Sequence, residues 1–143
     1  MYISWYNMST MKRRRKTVIR RSGFEDSFEK DLTERGINYS YESETLSYKY
    51  IVPAREKTER YTPDFPIITK SGKKIYIETK GRLTSENRKK YLRVKNLLGI
   101  DLRFVFQRDN KIYKGSDTTY SEWAEKNGFL WAMKTIPEEW VNE

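Results

Sequence analysis

A mixed α/β domain is the fold class predicted, on three observations. Runs of β-branched and aromatic residues alternate with period two, capped amphipathic helices flank them, and residues 61 to 107 follow the order hairpin, helix, strand. That order feeds strands into one mixed central sheet covered by helices. Length agrees, since 143 residues suit one compact domain with its own core. No internal repeat divides the chain.

The first helix is expected over 22–35. Ser22 is a good N-cap, Glu25 completes an S-x-x-E capping box, and Gly36 stops the helix; Phe24, Phe28 and Leu32 give the buried stripe. Residues 37–54 read as extended, with Leu46, Tyr48, Tyr50 and Val52 alternating against Ser47, Lys49 and Ile51 until Pro53. "REKTER" reads as a charged loop. "YTPDFPII" then begins a strand in which Pro63 and Pro66 flank Asp64 and Phe65, "TKSGKK" turns around Ser71 and Gly72, and "KIYIETK" returns. A helix over 85–98 puts Tyr91, Val94 and Leu98 on one face and Lys89, Arg93 and Asn96 on the other, with Gly99 closing it. "DLRFVFQ" is a strong strand, "KIYKG" a short one, and "TTYSEWAEKNG" a last helix ended by Gly128.

Composition narrows the chemistry. Apolar residues are only 36% of the chain, yet 15% is aromatic, so the core must be built largely from Tyr, Phe and Trp. Trp123, Trp131 and Trp140 are expected in packing rather than as base-stacking platforms. Cysteine and histidine are both absent, which excludes disulfides, thiolate catalysis, cysteine zinc sites and an imidazole general base. An enzyme of this composition must work with carboxylates, lysine, hydroxyls and metal. No apolar run approaches the ~20 residues that cross a bilayer, and no positive region precedes the weak apolar start, so a cytoplasmic protein without membrane partners is expected. The net charge of +9 is uneven. Residues 12–21, "KRRRKTVIRR", supply +7 of it, which describes a basic arm (1–21) on a near-neutral domain (22–143) and a polyanionic partner, nucleic acid first.

The chemistry concentrates in "IYIETKG". On a strand, Glu78 and Lys80 project to the same side as Tyr76, while Ile75, Ile77 and Thr79 face the other way. Asp64 on the adjacent antiparallel strand brings a second carboxylate. Phosphodiester hydrolysis needs a deprotonated water, a shielded phosphorus and a stabilised leaving oxygen, and hard divalent cations on carboxylate oxygens meet all three needs. Lys80 would orient the water or hold the phosphate. The pattern P-D, spacer, E-x-K resembles the nuclease motif of the restriction-endonuclease-like fold. On these residues alone, a solvated Glu78–Lys80 surface pair worth under ~1 kcal/mol competes with that reading, and the capping box competes for Glu25.

The stretches "RSGFEDSFEKDLTERGINYSYE", "YTPDF", "ETKG", "RKKYL", "YKGSDTTYSEWAEKNG" and "IPEEW" resemble, in order and spacing, the phage endonuclease I family, the Holliday-junction resolvases of podoviruses. The resemblance spans residues 20–140. It implies Glu25, Asp64, Glu78 and Lys80 as catalytic residues. It also implies two cations, Mg²⁺ or Mn²⁺, one on Asp64, Glu78 and the Thr79 carbonyl and the other on Asp64 and Glu25. The hairpin "PIITKSGKKI" is longer than the family's turn, and the arm is more basic. The family further implies a domain-swapped homodimer in which a strand over about 39–53 crosses to the partner, so that Glu25 of one chain faces Asp64, Glu78 and Lys80 of the other. Such a dimer suits the near two-fold symmetry of a four-way junction and its two symmetric nicks.

DNA contacts are expected from the arm (Lys12, Arg13, Arg14, Arg15, Lys16, Arg20 and Arg21) and from Arg82, Arg88, Lys89 and Lys90 near the second helix. Selectivity would then follow backbone geometry rather than base sequence. A restriction or repair nuclease of the same fold, and a non-catalytic nucleic-acid-binding module, are the competing readings.

Overall fold

Residues 22–143 are described by a computed structural model; the basic arm and its seven cationic residues lie outside them. The first helix, α1 (Gly23–Glu34), starts where Ser22 Oγ accepts the Glu25 N–H at 3.1 Å, and it buries Phe28 and Leu32. Gly36, at a φ of 65°, lets the Ile37 N–H return to the Leu32 carbonyl at 3.0 Å. A five-stranded sheet follows, in the order β1 (Asn38–Tyr39), β4 (Phe65–Ile68), β5 (Lys74–Lys80), β6 (Leu102–Phe106), β7 (Trp131–Met133). The β1–β4 and β4–β5 pairs are antiparallel, and β5–β6 and β6–β7 are parallel. Helix α2 (Ser85–Leu98) supplies the β5–β6 crossover, capped by the Thr84 hydroxyl and closed by Gly99 at a φ of 62°.

Each sheet face packs a separate core. Ile67, Ile75, Ile77 and Val105 meet Phe28 and Leu32 of α1 and Trp140 of α4 (Glu138–Val141). Tyr76, Phe104 and Phe106 meet Tyr91 and Val94 of α2, and Trp123 of α3 (Tyr120–Lys126). The mixed sheet between helices is the predicted fold class. Trp123 and Trp140 are buried and Trp131 half-buried against the core, as expected of packing residues.

Three local expectations fail. "REKTER" is not a loop: β3 (Arg55–Tyr61) pairs with β2 (Leu46–Val52) in a separate hairpin that turns at Pro53 and Ala54. Residues 40–45, between β1 and β2, have no regular secondary structure. "KIYKG" makes only a single bridge, Lys111 to Thr119. Arg93 does not face solvent; its guanidinium turns onto Glu59 at 3.2 Å and onto the Tyr50 ring, 4.7 Å from the centroid.

Candidate active site

The antiparallel register of β4 on β5 pairs Phe65 with Ile77, so Asp64, one residue before β4, falls beside Glu78. Pro63 and Pro66 cannot donate to a ladder, and the Asp64 carboxylate needs partners of its own. Thr79 supplies them: its N–H donates to Asp64 Oδ2 at 3.0 Å and its hydroxyl to the same oxygen at 2.9 Å. Glu78 sits on the opposite side of the strand from Thr79, 3% exposed, and accepts the Tyr61 hydroxyl at 2.9 Å. That burial removes the surface-pair reading of Glu78 and Lys80. The Lys80 ammonium instead lies 5.5 Å from the centroid of the Tyr91 ring.

Helix α1 brings the third predicted carboxylate. Its first turn, fixed by the Ser22 cap, aims Glu25 at the cluster, where it accepts the Tyr41 hydroxyl at 2.8 Å. The cap and the cluster are thus compatible roles. Oxygens of Glu25, Asp64 and Glu42 lie within 4.8 Å of one another. In this single chain the Glu25 that meets Asp64 is its own. Sequence reasoning missed Glu42, Tyr41 and Tyr61. Glu42 comes from the irregular stretch at a φ of 44°, held by its N–H on the Asp64 carbonyl at 2.9 Å. No spacing rule marks such a bend. Tyr61 stands inside "YTPDF", at the end of a strand whose charged sequence hid it.

The electrostatics are those of buried carboxylates held close to one another. Burial pushes the Asp64 carboxyl up to about 6; the Glu25 charge adds to this, and the two Thr79 hydrogen bonds oppose it. Burial, then the Asp64 charge, holds Glu78 well above the ordinary carboxylate range against the opposing pull of Lys80. Among the described residues, no lysine or arginine forms an ion pair with Asp64 or Glu78. An all-oxygen, carboxylate-rich donor set fits a hard divalent cation.

The predicted DNA-contact residues near α2 divide. Arg82 and Lys89 are exposed, and Lys90 leans over the Tyr61 ring at 5.8 Å. Arg88 is half-buried and donates to the Leu83 and Ile112 carbonyls at 2.9 and 3.2 Å, which ties down the 111–119 loop. No helix among the described residues is long and apolar enough to cross a membrane.

A profile described as phage endonuclease I matches residues 6–143. The chain is 42% identical over 131 residues to Endonuclease I of Escherichia phage T7, covering 90% of this chain and 83% of that protein. It is 43% identical over 125 residues to Endodeoxyribonuclease 1 of Enterobacteria phage T3, covering 86% and 77%.

Proposed function

The chain belongs to the phage endonuclease I family, and on that premise we propose that it is a metal-dependent DNA endonuclease that resolves four-way and other branched junctions by paired, symmetric nicks. The observation that carries this reading is the convergence of Asp64 with Glu25, Glu42 and Glu78 at the end of the strand that presents Lys80.

Two divalent cations, Mg²⁺ or Mn²⁺, suit the donors: Asp64, Glu78 and the Thr79 carbonyl for one, Asp64 and Glu25 for the other, with Glu42 in reach of the second. Bound there, they supply a more acidic water and neutralise charge on the scissile phosphate. The protein's own groups orient the reaction. Thr79 fixes Asp64 Oδ2, Tyr61 fixes Glu78, and Tyr41 fixes Glu25. Lys80, without a carboxylate at ion-pair distance among the described residues, holds the phosphate or the attacking water. The basic arm, with Arg82, Lys89 and Lys90, grips the backbone.

Paired nicks call for two sites. Exchange of α1 and β1 between two copies, hinged in the irregular stretch at 40–45, rebuilds the Glu25–Asp64 contact across a dimer, because swapping conserves the exchanged interface. The test incubates protein and Mg²⁺ with a synthetic four-way junction beside linear duplex, with a mass measurement in parallel. Symmetric junction nicks by a dimer support the proposal. Cutting of linear duplex at one sequence favours a restriction-type enzyme, and binding without cutting favours a non-catalytic module.

A further inference from the structure

The three parallel strands β5, β6 and β7 end side by side next to the acidic cluster. The Gln107 N–H donates to the Lys80 carbonyl at 3.0 Å and the Lys134 N–H to the Phe106 carbonyl at 2.8 Å, which locks these ends in line. With Gly81 and Thr135 they form one side of a cavity of about 570 Å³, whose other side is Ser22, Gly23, Phe24 and Ser27. The carboxyl ends of adjacent parallel strands are where open sheets place ligands.

The chemistry of this cavity is opposite to that of the cluster it adjoins. None of its lining residues is acidic. The Lys134 ammonium, the Gln107 amide and the Thr135 hydroxyl make no side-chain hydrogen bond or ion pair among the described residues, so all three are available to a ligand. Gly81 keeps the floor low, since a Cβ there would come within 3.1 Å of Gln107 Oε1. The concavity on the outer side of α1 is different: Asp26, Glu29 and Glu34 line it together with Lys30 and Thr33.

We propose that this cavity seats the DNA backbone on one side of the bond that is cut, with Lys134 pairing to the phosphate next to the scissile one and Gln107 and Thr135 donating to its oxygens. The inference rests on the endonuclease reading. A cut strand is a continuous string of phosphates, so the neighbour of a phosphate at Lys80 lies within one nucleotide of it. Gly81 follows Lys80 in the chain, and Gln107 is bonded to its carbonyl. Lys134 and Gln107 are positioning residues here, acting on the phosphate beside the reacting one.

The test uses the full chain and a series of four-way junctions in which single phosphates near the cut are replaced by neutral methylphosphonates. Wild type should lose about tenfold in single-turnover rate when the adjacent phosphate is neutralised, and Lys134→Gln should lose that amount on unmodified DNA and little more on the modified junction. The salt dependence of junction affinity should fall by about one phosphate contact per site in Lys134→Gln. Gln107→Ala should lower the rate in the same position-dependent way. A Lys134→Gln protein that melts like wild type yet keeps its full sensitivity to the adjacent methylphosphonate, or an unchanged salt slope, overturns the inference while leaving the nuclease reading intact. A wild type that cuts no DNA overturns both.

Discussion

Asp64 Oδ2 accepts both the backbone N–H and the hydroxyl of Thr79, at 3.0 and 2.9 Å. A single residue on β5 thereby orients the carboxylate just ahead of β4, which the strand register sets beside Glu78. If Asp64 and Lys80 serve chemistry rather than binding, Asp64→Ala and Lys80→Ala should each lower the nicking rate by at least about a thousandfold. Junction affinity in Ca²⁺ should change by only a few-fold, because phosphate contacts elsewhere supply it. Gel-shift and single-turnover measurements on the same preparations check this; parallel loss of both would contradict the assignment.

The raised carboxyls make the metal-free protein sensitive to pH in a definite direction. Asp64 titrates near 6 when folded and near 3.8 when unfolded, so between those values the native state holds the extra proton. Stability then falls as pH rises through this window, by up to about 3 kcal/mol at ~1.4 kcal/mol per pH unit, and the loss persists at neutral pH. Glu78 acts in the same direction. Asp64→Asn keeps an acceptor for Thr79 and removes the charge. It should match wild type near pH 4, exceed it by about 1–3 kcal/mol at pH 7 without metal, and lose the Mg²⁺-dependent rise in melting temperature that wild type shows. Thermal melts across pH, with and without Mg²⁺, measure all three.

Tyr61 is 3% exposed, and its hydroxyl is the donor that meets buried Glu78. Tyr61→Phe leaves that acceptor without its partner. The expected cost is about 1–3 kcal/mol in urea unfolding of the metal-free protein, together with weaker Mg²⁺ activation of cleavage. An unchanged metal dependence would restrict Tyr61 to packing against Tyr91, whose ring meets its own edge-on at 6.0 Å.

Far from the cluster, Arg103 is 1% exposed and lies under the sheet against the Trp140 ring, 5.2 Å from its centroid. It is held by Asp101 at 2.9 and 2.8 Å and by Glu143 at 2.5 and 2.8 Å. Arg103→Ala should destabilise the fold by roughly 3 kcal/mol, since it removes the shared partner of two carboxylates and leaves a void beside Trp140. Arg103→Met, which fills the space, should lose less. Chemical denaturation of both variants at pH 7 gives the comparison.

The parts of the site that follow a period were legible in the sequence. Glu78, Lys80 and Tyr76 share a face because strands alternate, and the two prolines around Asp64 marked the interruption that leaves its carboxylate to Thr79. Helix α1 was equally plain from its cap and its Phe28–Leu32 stripe. Glu25 was legible as a cap from the residues, and as a cluster member only through family resemblance. Strand β3 was hidden because Arg55, Glu56, Lys57 and Thr58 are all exposed, so no apolar alternation exists to be seen. Strand β7 is three residues long and drew its place from parallel pairing with β6. Glu42 reaches the cluster through a bend whose left-handed backbone no composition rule predicts. Arg88 and Arg93 looked like solvated cations, yet carbonyls and Glu59 claim them once the loops close over α2.

The most direct test of the central claim is an anomalous-scattering map from crystals of this protein equilibrated with Mn²⁺. The account predicts a peak bonded to carboxylate oxygens of both Asp64 and Glu78, a second shared by Asp64 and Glu25, and loss of both in Asp64→Ala. Manganese bound elsewhere, or no site at Asp64 in a preparation that still nicks junctions, would contradict it.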